Sequence, residues 1–257
     1  MSVAEASLAG LYDVIARRRD VRAEFTGQPI ADDQLLRILG AAHQAPSVGH
    51  SQPWDFILVR DHGTRQRFQQ HVAAERDLYA SELSGERSDT FAKIKIEGIL
   101  ESSLGIVVTY DAARGGPAVL GRHAIADAGL YSTCLAIQNL WLAAIGEGLG
   151  VGWVSFYREP FLRRLLDIPE EIRPIAWLCV GTISRLQDAP DLERHRWRDR
   201  RPLAEALHYE TFRNGAITTD PEVADDQIDR SLRARDLRRC GDEPRDARGE
   251  TVRNAQH

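Results

Sequence analysis

The dominant hydrophobic pattern runs from Ala124 to Ser155. The stretch AIADAGLYSTCLAIQNLWLAAIGEG carries apolar residues on nearly every face, which predicts a helix buried on most sides. Asp127, Gly129, Ser132, Gln138 and Asn139 interrupt it too often for a membrane span. It is therefore expected to be the core helix of a soluble domain and a candidate subunit interface. LGVGWVS follows as a glycine-punctuated strand that delivers Trp153 and Ser155 to wherever the core opens. Earlier in the chain, Leu8, Leu11, Tyr12 and Ile15 repeat with helical spacing. Asp32 or Asp33 is expected to cap a second helix carrying Leu35, Leu36, Ile38, Leu39 and Ala42. Residues 64–83 read as a further helix, and Glu159-Pro160 opens a short one. WDFILVR (54–60), LGIVVTY (104–110) and IAWLCVGTIS (175–184) read as strands with buried character. Residues 84–100 have weak periodicity and are expected to form a mobile helix or lid. Helices and strands do not alternate regularly, which favours an α+β class over a doubly wound fold.

Composition narrows the possible functions. The chain has 257 residues and 43% hydrophobic content, within the range of one large domain. Its net charge of −5 argues against nucleic acid as a general partner. No basic, apolar leader is visible at the N-terminus. Cys134, Cys179 and Cys240 lie far apart and suit neither a disulfide framework nor a zinc site, so a cytoplasmic setting is expected. From Gly215 onward there is no aromatic residue, and Asp and Arg are frequent. Such a segment buries too little to offset its ordering entropy. The expected organisation is one domain over 1–214 and a charged, disordered tail over 215–257.

The candidate chemistry begins with Gly146, Gly148, Gly150 and Gly152. A dinucleotide fingerprint must follow a strand and open a helix, whereas these glycines end a helix and open a strand. A glycine helix stop followed by close backbone approach is the simpler account. There is no P-loop, HExxH or GxSxG. Cys134 is expected to pack, and His43, His50 and His123 share no metal-ligand spacing with acids. The run from Arg17 to Arg22 has two readings: a solvated helix end, or an anion site in which several guanidiniums meet a phosphate.

Three segments, taken together, carry a resemblance. They are Arg18-Arg19-Asp20-Val21-Arg22, Ala45-Pro46-Ser47 through Gln52-Pro53-Trp54, and Gly150-Val151-Gly152-Trp153-Val154-Ser155, with Trp197 to Leu203 near the end. In this order the chain, over roughly 8–212, resembles the FMN-dependent nitroreductase superfamily. Within it, RRDVR with GWVS resembles the 5,6-dimethylbenzimidazole synthases. The resemblance implies a nitroreductase-like α+β fold, with a mixed sheet flanked by helices and a homodimer formed through the central helix. FMN would lie at that interface. Arg18, Arg19, Arg22 and Arg200 would hold its phosphate and ribityl chain; Asp20, Val21 and Trp153 would adjoin it; Pro46, Ser47 and Gln52 would line the ring edge. Reduced FMN would be the substrate, supplied by a separate flavin reductase, with molecular oxygen as co-substrate. Asp20 and Ser155 would be catalytic, the first moving protons and the second hydrogen-bonding the flavin at N5. Two residues depart from the ordinary reductase pattern: Asp20 replaces a Ser or Thr, and His50 replaces an Asn. An NAD(P)H-dependent nitroreductase and a non-catalytic flavin carrier remain the alternatives.

Overall fold

The computed structural model describes residues 5–208 and 210–212. By internal contacts the chain forms two units: Asp13–Arg200, and the two ends up to Tyr12 and from Arg201. The expected tail over 215–257, and the boundary that sets it off, lie outside the described residues. In the terminal unit the described structure is the start of helix α1 (Glu5–Arg17) and a 3-10 turn at Leu203–Ala206, where Arg201 pairs with Glu205.

The larger unit is built on four strands: β1 (Trp54–Val59), β2 (Leu104–Asp111), β3 (Leu149–Val154) and β4 (Ile172–Thr182). Their order is β1-β2-β4-β3, with every ladder antiparallel. The parallel component of the expected mixed sheet is confined to one isolated bridge, Asp20 to Val151. The two central strands carry unbroken apolar runs, LGIVV in β2 and IAWLCV in β4, because both sheet faces are covered there. Ile106, Val108, Leu178 and Val180 point into one core, with α2 (Asp32–His43) and α5 (Ala128–Gly146). Val107, Trp177 and Cys179 point into the other, beneath α3 (His62–Ser81), α4 (Gly85–Lys93) and α6 (Glu159–Leu166). A short α7 (Asp191–Arg194) follows the sheet.

The local starts and stops have identifiable causes. Asp61 caps α3 by accepting the Thr64 N–H at 2.7 Å. For α2 the expected aspartate cap is corrected: Ala31 occupies the cap position, and Asp32 and Asp33 lie in the first turn, where they complement the helix dipole instead. Helix α5 stops as the glycines foretell. Gly148 takes a φ of +75° and donates to the Ile145 carbonyl at 3.1 Å.

Helix α5 is two-sided rather than buried all round. Ser132, Ala136, Ile137, Leu140, Trp141 and Ala144 are buried, whereas Tyr131 is 56% and Leu135 47% exposed. By length and composition it also reaches membrane-span dimensions, but half of that window is packed inside the fold. The segment expected to be a mobile helix or lid does begin as a helix, α4, and its second half is anchored. Phe91, Ile94, Ile96 and Ile99 are buried, so α4 continues into a strap inserted in the second core. The strap ends at a residue that the hydrophobic pattern did not flag. Arg65 is buried, and its guanidinium reaches the carbonyls of Ile99, Ser102 (2.6 Å) and Ser103.

The two glycines of β3 decide what lies beside it. Leu149 and Val151 join the first core, and the alternating positions are Gly150 and Gly152. A Cβ on Gly152 would stand 2.1 Å from the Val21 carbonyl oxygen, and one on Gly150 would stand 2.4 Å from the Ile183 side chain. The missing side chains let residues 20–22 lie against β3, from where the chain runs on to the end of β4. Val21 donates to the Val151 carbonyl at 2.9 Å, and Thr26 to that of Thr182 at 3.0 Å. A Gly152→Ala variant is expected to lose about 1–3 kcal/mol of stability, because backbone rather than a flexible side chain must move. Urea denaturation against the native chain measures this.

Candidate functional site

The site grows from the end of α1. Arg18 keeps a helical bond to Val14 (3.1 Å), and its guanidinium lies 5.1 Å from the centre of the Trp141 ring. Trp141 also donates its indole N–H to the Arg19 carbonyl at 3.1 Å, tying this segment to α5. Arg19 places four N–H groups on carbonyls: Ala16 (2.7 Å), Arg18 (2.8 Å), Gln187 (2.9 Å) and Asp188 (2.6 Å). It therefore latches the 187–188 segment to the end of α1. Burial pulls the Arg19 guanidinium below its ordinary value, and the cations Arg18 and Arg200 pull it further, against Glu193 and Asp188. Three guanidiniums thus share one neighbourhood. Their mutual repulsion is what a bound anion relieves.

Asp20 comes next, bridged to Val151. One carboxyl oxygen accepts the Trp153 N–H at 2.9 Å, and the other pairs with Arg22. Burial pushes the carboxyl above the usual aspartate value, against the opposing pull of Arg22, the Trp153 N–H and Arg18. Its side chain remains 32% exposed, so the carboxyl sits in a recess open along one edge rather than in the core. Arg22 is more enclosed at 14%, and its Nε is buried without a partner. A buried guanidinium N–H of this kind is unusual in a finished structure and suits a polar ligand group. Val21, between the two, is fully packed. Ser155 follows the last residue of β3 and is exposed. It lies two residues, about 7 Å of extended chain, beyond the backbone N–H that holds Asp20.

The loop with Pro46, Ser47 and Gln52 is built elsewhere. Ser47 Oγ accepts the Gln52 N–H at 3.0 Å, and Ser132 Oγ on α5 accepts the Val48 N–H at 3.1 Å. Three residues adopt left-handed backbone: Gly49 (φ 53°), His50 (φ 52°) and Gln52 (φ 44°). For the two non-glycine residues this stores strain of about 1–2 kcal/mol each. A cavity of about 340 Å³ opens here among His43, Ser51, Gln52, Trp54, Phe56 and Arg114. The loop meets α5 at Ser132 and the arginine cluster meets it at Trp141. Nine residues of helix put those points about 13 Å apart. One chain therefore holds Arg18 and Arg19 against α5 at Trp141, with Asp20, Val21 and Arg22 continuing along β3. It holds the loop with Pro46, Ser47 and Gln52 against α5 at Ser132.

Trp141 is the site residue that sequence reasoning missed. A buried indole carries an N–H that needs a partner, and that is the signal the sequence offered; the partner, Arg19, is 122 positions away. Among the described residues no group of His, Cys, Asp and Glu is arranged to hold a metal ion.

Residues 15–182 match the nitroreductase family. The chain is 40% identical over 197 residues to the 5,6-dimethylbenzimidazole synthase of Rhodospirillum rubrum, covering 75% of this chain and 91% of that protein. It is 34% identical to the Rhodobacter capsulatus protein of the same name, covering 75% and 92%. Among solved structures, iodotyrosine deiodinase bound to FMN and 3-iodo-L-tyrosine superposes with a TM-score of 0.61 at 21% identity, covering 79% of this chain and 100% of that one. A BluB-like flavoprotein from Clostridium difficile 630 gives 0.59 at 20%, covering 78% and 99%. The chain belongs to the nitroreductase family, on the branch that holds the 5,6-dimethylbenzimidazole synthases.

Proposed function

We propose that the chain is a 5,6-dimethylbenzimidazole synthase acting on reduced FMN and molecular oxygen. The observation that carries the reading is the pairing at the edge of β3. An acid of raised pKa is held by the Trp153 N–H, and the Ser155 hydroxyl stands two residues further along. A flavin reductase that recycles its cofactor needs no proton-transfer acid at that position. The residues present fit FMN. Arg18, Arg19 and Arg200 supply clustered positive charge for a phosphate, with Arg19 acting mainly through charge because its donors hold carbonyls. Arg22 offers an unpartnered buried N–H to a polar edge. Bound reduced FMN would supply the carbon and nitrogen atoms of the benzimidazole and oxygen the oxidising equivalents; erythrose 4-phosphate would carry away the rest of the ribityl chain, and the pyrimidine portion of the ring system would leave as a separate fragment.

The chain's own groups then have distinct tasks. Asp20 moves protons: burial raises its pKa above the ordinary aspartate value, the direction that suits a general acid or base. Ser155 would hydrogen-bond the flavin at N5, and the Trp153 N–H holds Asp20. Pro46, Ser47 and Gln52 serve a different copy. About 13 Å of α5 separates them from the arginines in one chain. The uncovered strip with Tyr131 and Leu135 gives a second copy a surface to pack on. Antiparallel pairing of two α5 helices would bring the loop of one subunit to the arginine cluster of the other. The working unit is thus a homodimer of the 1–214 domain, with 215–257 as an appendage. It would act in the cytoplasm, where a separate flavin reductase supplies reduced FMN.

Three outcomes test this. Mixing the protein with chemically reduced FMN and admitting oxygen should yield dimethylbenzimidazole by mass spectrometry, with matching loss of flavin. Intact FMN with peroxide would instead favour an NAD(P)H-dependent reductase. Asp20→Asn should bind flavin yet form product about a hundredfold more slowly or worse, the range of a lost general acid or base. Leu135→Glu should convert the dimer to monomer in sedimentation velocity and weaken flavin binding with it.

A further inference from the structure

Helix α3 meets the loop between β3 and α6 along one stripe. Phe68, His71, Glu75 and Tyr79 stand at i, i+3, i+7 and i+11, a single helical face. Each takes hold of the residues that follow Ser155. The Tyr79 ring lies edge-on to Phe156 at 5.7 Å, and the Phe68 ring lies 5.7 Å from that of Tyr157. Glu75 pairs with the Arg158 guanidinium at 2.8 Å. His71 Nε2 accepts the backbone N–H of Arg158 at 3.0 Å, its ring stacked 3.9 Å from that of Phe161. Residues 156, 157 and 158 are thus all fixed by α3, and Ser155 is the exposed residue just before them.

Two of these holds are aromatic contacts, and a third uses a carboxylate that Arg158 keeps below its usual range. They do not change near neutral pH. The His71 contact does. Accepting an N–H at Nε2 requires a lone pair there, hence a neutral ring with its proton on Nδ1. A second proton would set two donors face to face and add a cation beside Arg158 and Arg164.

We propose that neutral His71 is a positioning residue for Ser155, holding the loop that sets its hydroxyl and releasing that loop when the ring is protonated. The proposal rests on the role given to Ser155 above. The charged groups facing the ring are Glu75 on its own helix, and Arg158 and Arg164 at the start and end of α6. Burial keeps the ring below the ordinary histidine value; Glu75 opposes this, and Arg158 and Arg164 reinforce it. The bond is therefore complete at neutral pH and is lost as pH falls through that lowered value.

The test uses the full chain. Amide exchange at Arg158, corrected for intrinsic rate, is followed against pH without flavin, alongside the His71 ring by NMR. Benzimidazole formed per flavin oxidised is followed over the same range for the native chain, His71→Gln, His71→Phe and Ser155→Ala. The Gln side chain can reach the Nε2 position with an oxygen that does not titrate. The Arg158 protection factor should fall roughly tenfold as His71 takes up its proton, the scale of one lost hydrogen bond. His71→Gln should keep the protection and lose the part of the acid limb of the yield that follows the His71 titration. His71→Phe should lower the yield roughly tenfold at every pH, as a misplaced group does. Arg158 protection that ignores the His71 titration overturns the proposal, and so does an acid limb in His71→Gln identical to that of the native chain, since Asp20 alone would then account for it. Full yield from Ser155→Ala removes the role on which the proposal rests. The exchange data, which need no flavin, distinguish that failure from one at His71.

Discussion

The arrangement depends on a close approach between backbones. Residues 20–22 reach β3 only because Gly150 and Gly152 have no side chains; any Cβ at 152 would occupy the space of the Val21 carbonyl. Gly98 repeats the device on the far side, where a Cβ would stand 2.6 Å from the Arg22 carbonyl oxygen. The strand and the arginine segment are therefore one construction. The first residue of that segment is an aspartate, and the backbone N–H it needs comes from the strand. Moving the segment by an ångström would separate acid, strand and serine together.

Charge is concentrated in the same place. Arg18, Arg19 and Arg200 repel one another, and Asp20 is drawn toward its neutral form although Arg22 stands beside it. Neither condition favours folding. Such tension is stored where a structure must accept an anion or move a proton, and the cores on both faces of the sheet carry it.

Much of this was legible from the chain. Strands β1, β2 and β4 follow from short apolar runs, and the end of α5 from its glycines, because those signals are local. The arginine segment, Asp20 and Ser155 were singled out by the family resemblance that their segments carry. The remainder depended on contacts between distant positions. That Arg19 would spend its donors on carbonyls 168 and 169 residues away, or that Arg65 would be buried against a turn, is written in no periodicity. The lid was misjudged for a related reason. Its charges, Lys93, Lys95 and Glu97, alternate with Ile94 and Ile96, and that alternation belongs to an extended strap rather than a loose helix.

The bond from Asp20 to Trp153 has a consequence outside the chemistry. Strand β3 is the last in its sheet, and such a strand offers unpaired donors and acceptors to any neighbouring chain. Here the Val151 carbonyl is taken by Val21 and the Trp153 N–H by the Asp20 carboxyl. The residue proposed to handle protons thus also seals the sheet against pairing with other molecules. Losing that carboxylate would leave the Trp153 N–H open on the sheet edge, a liability for association between molecules.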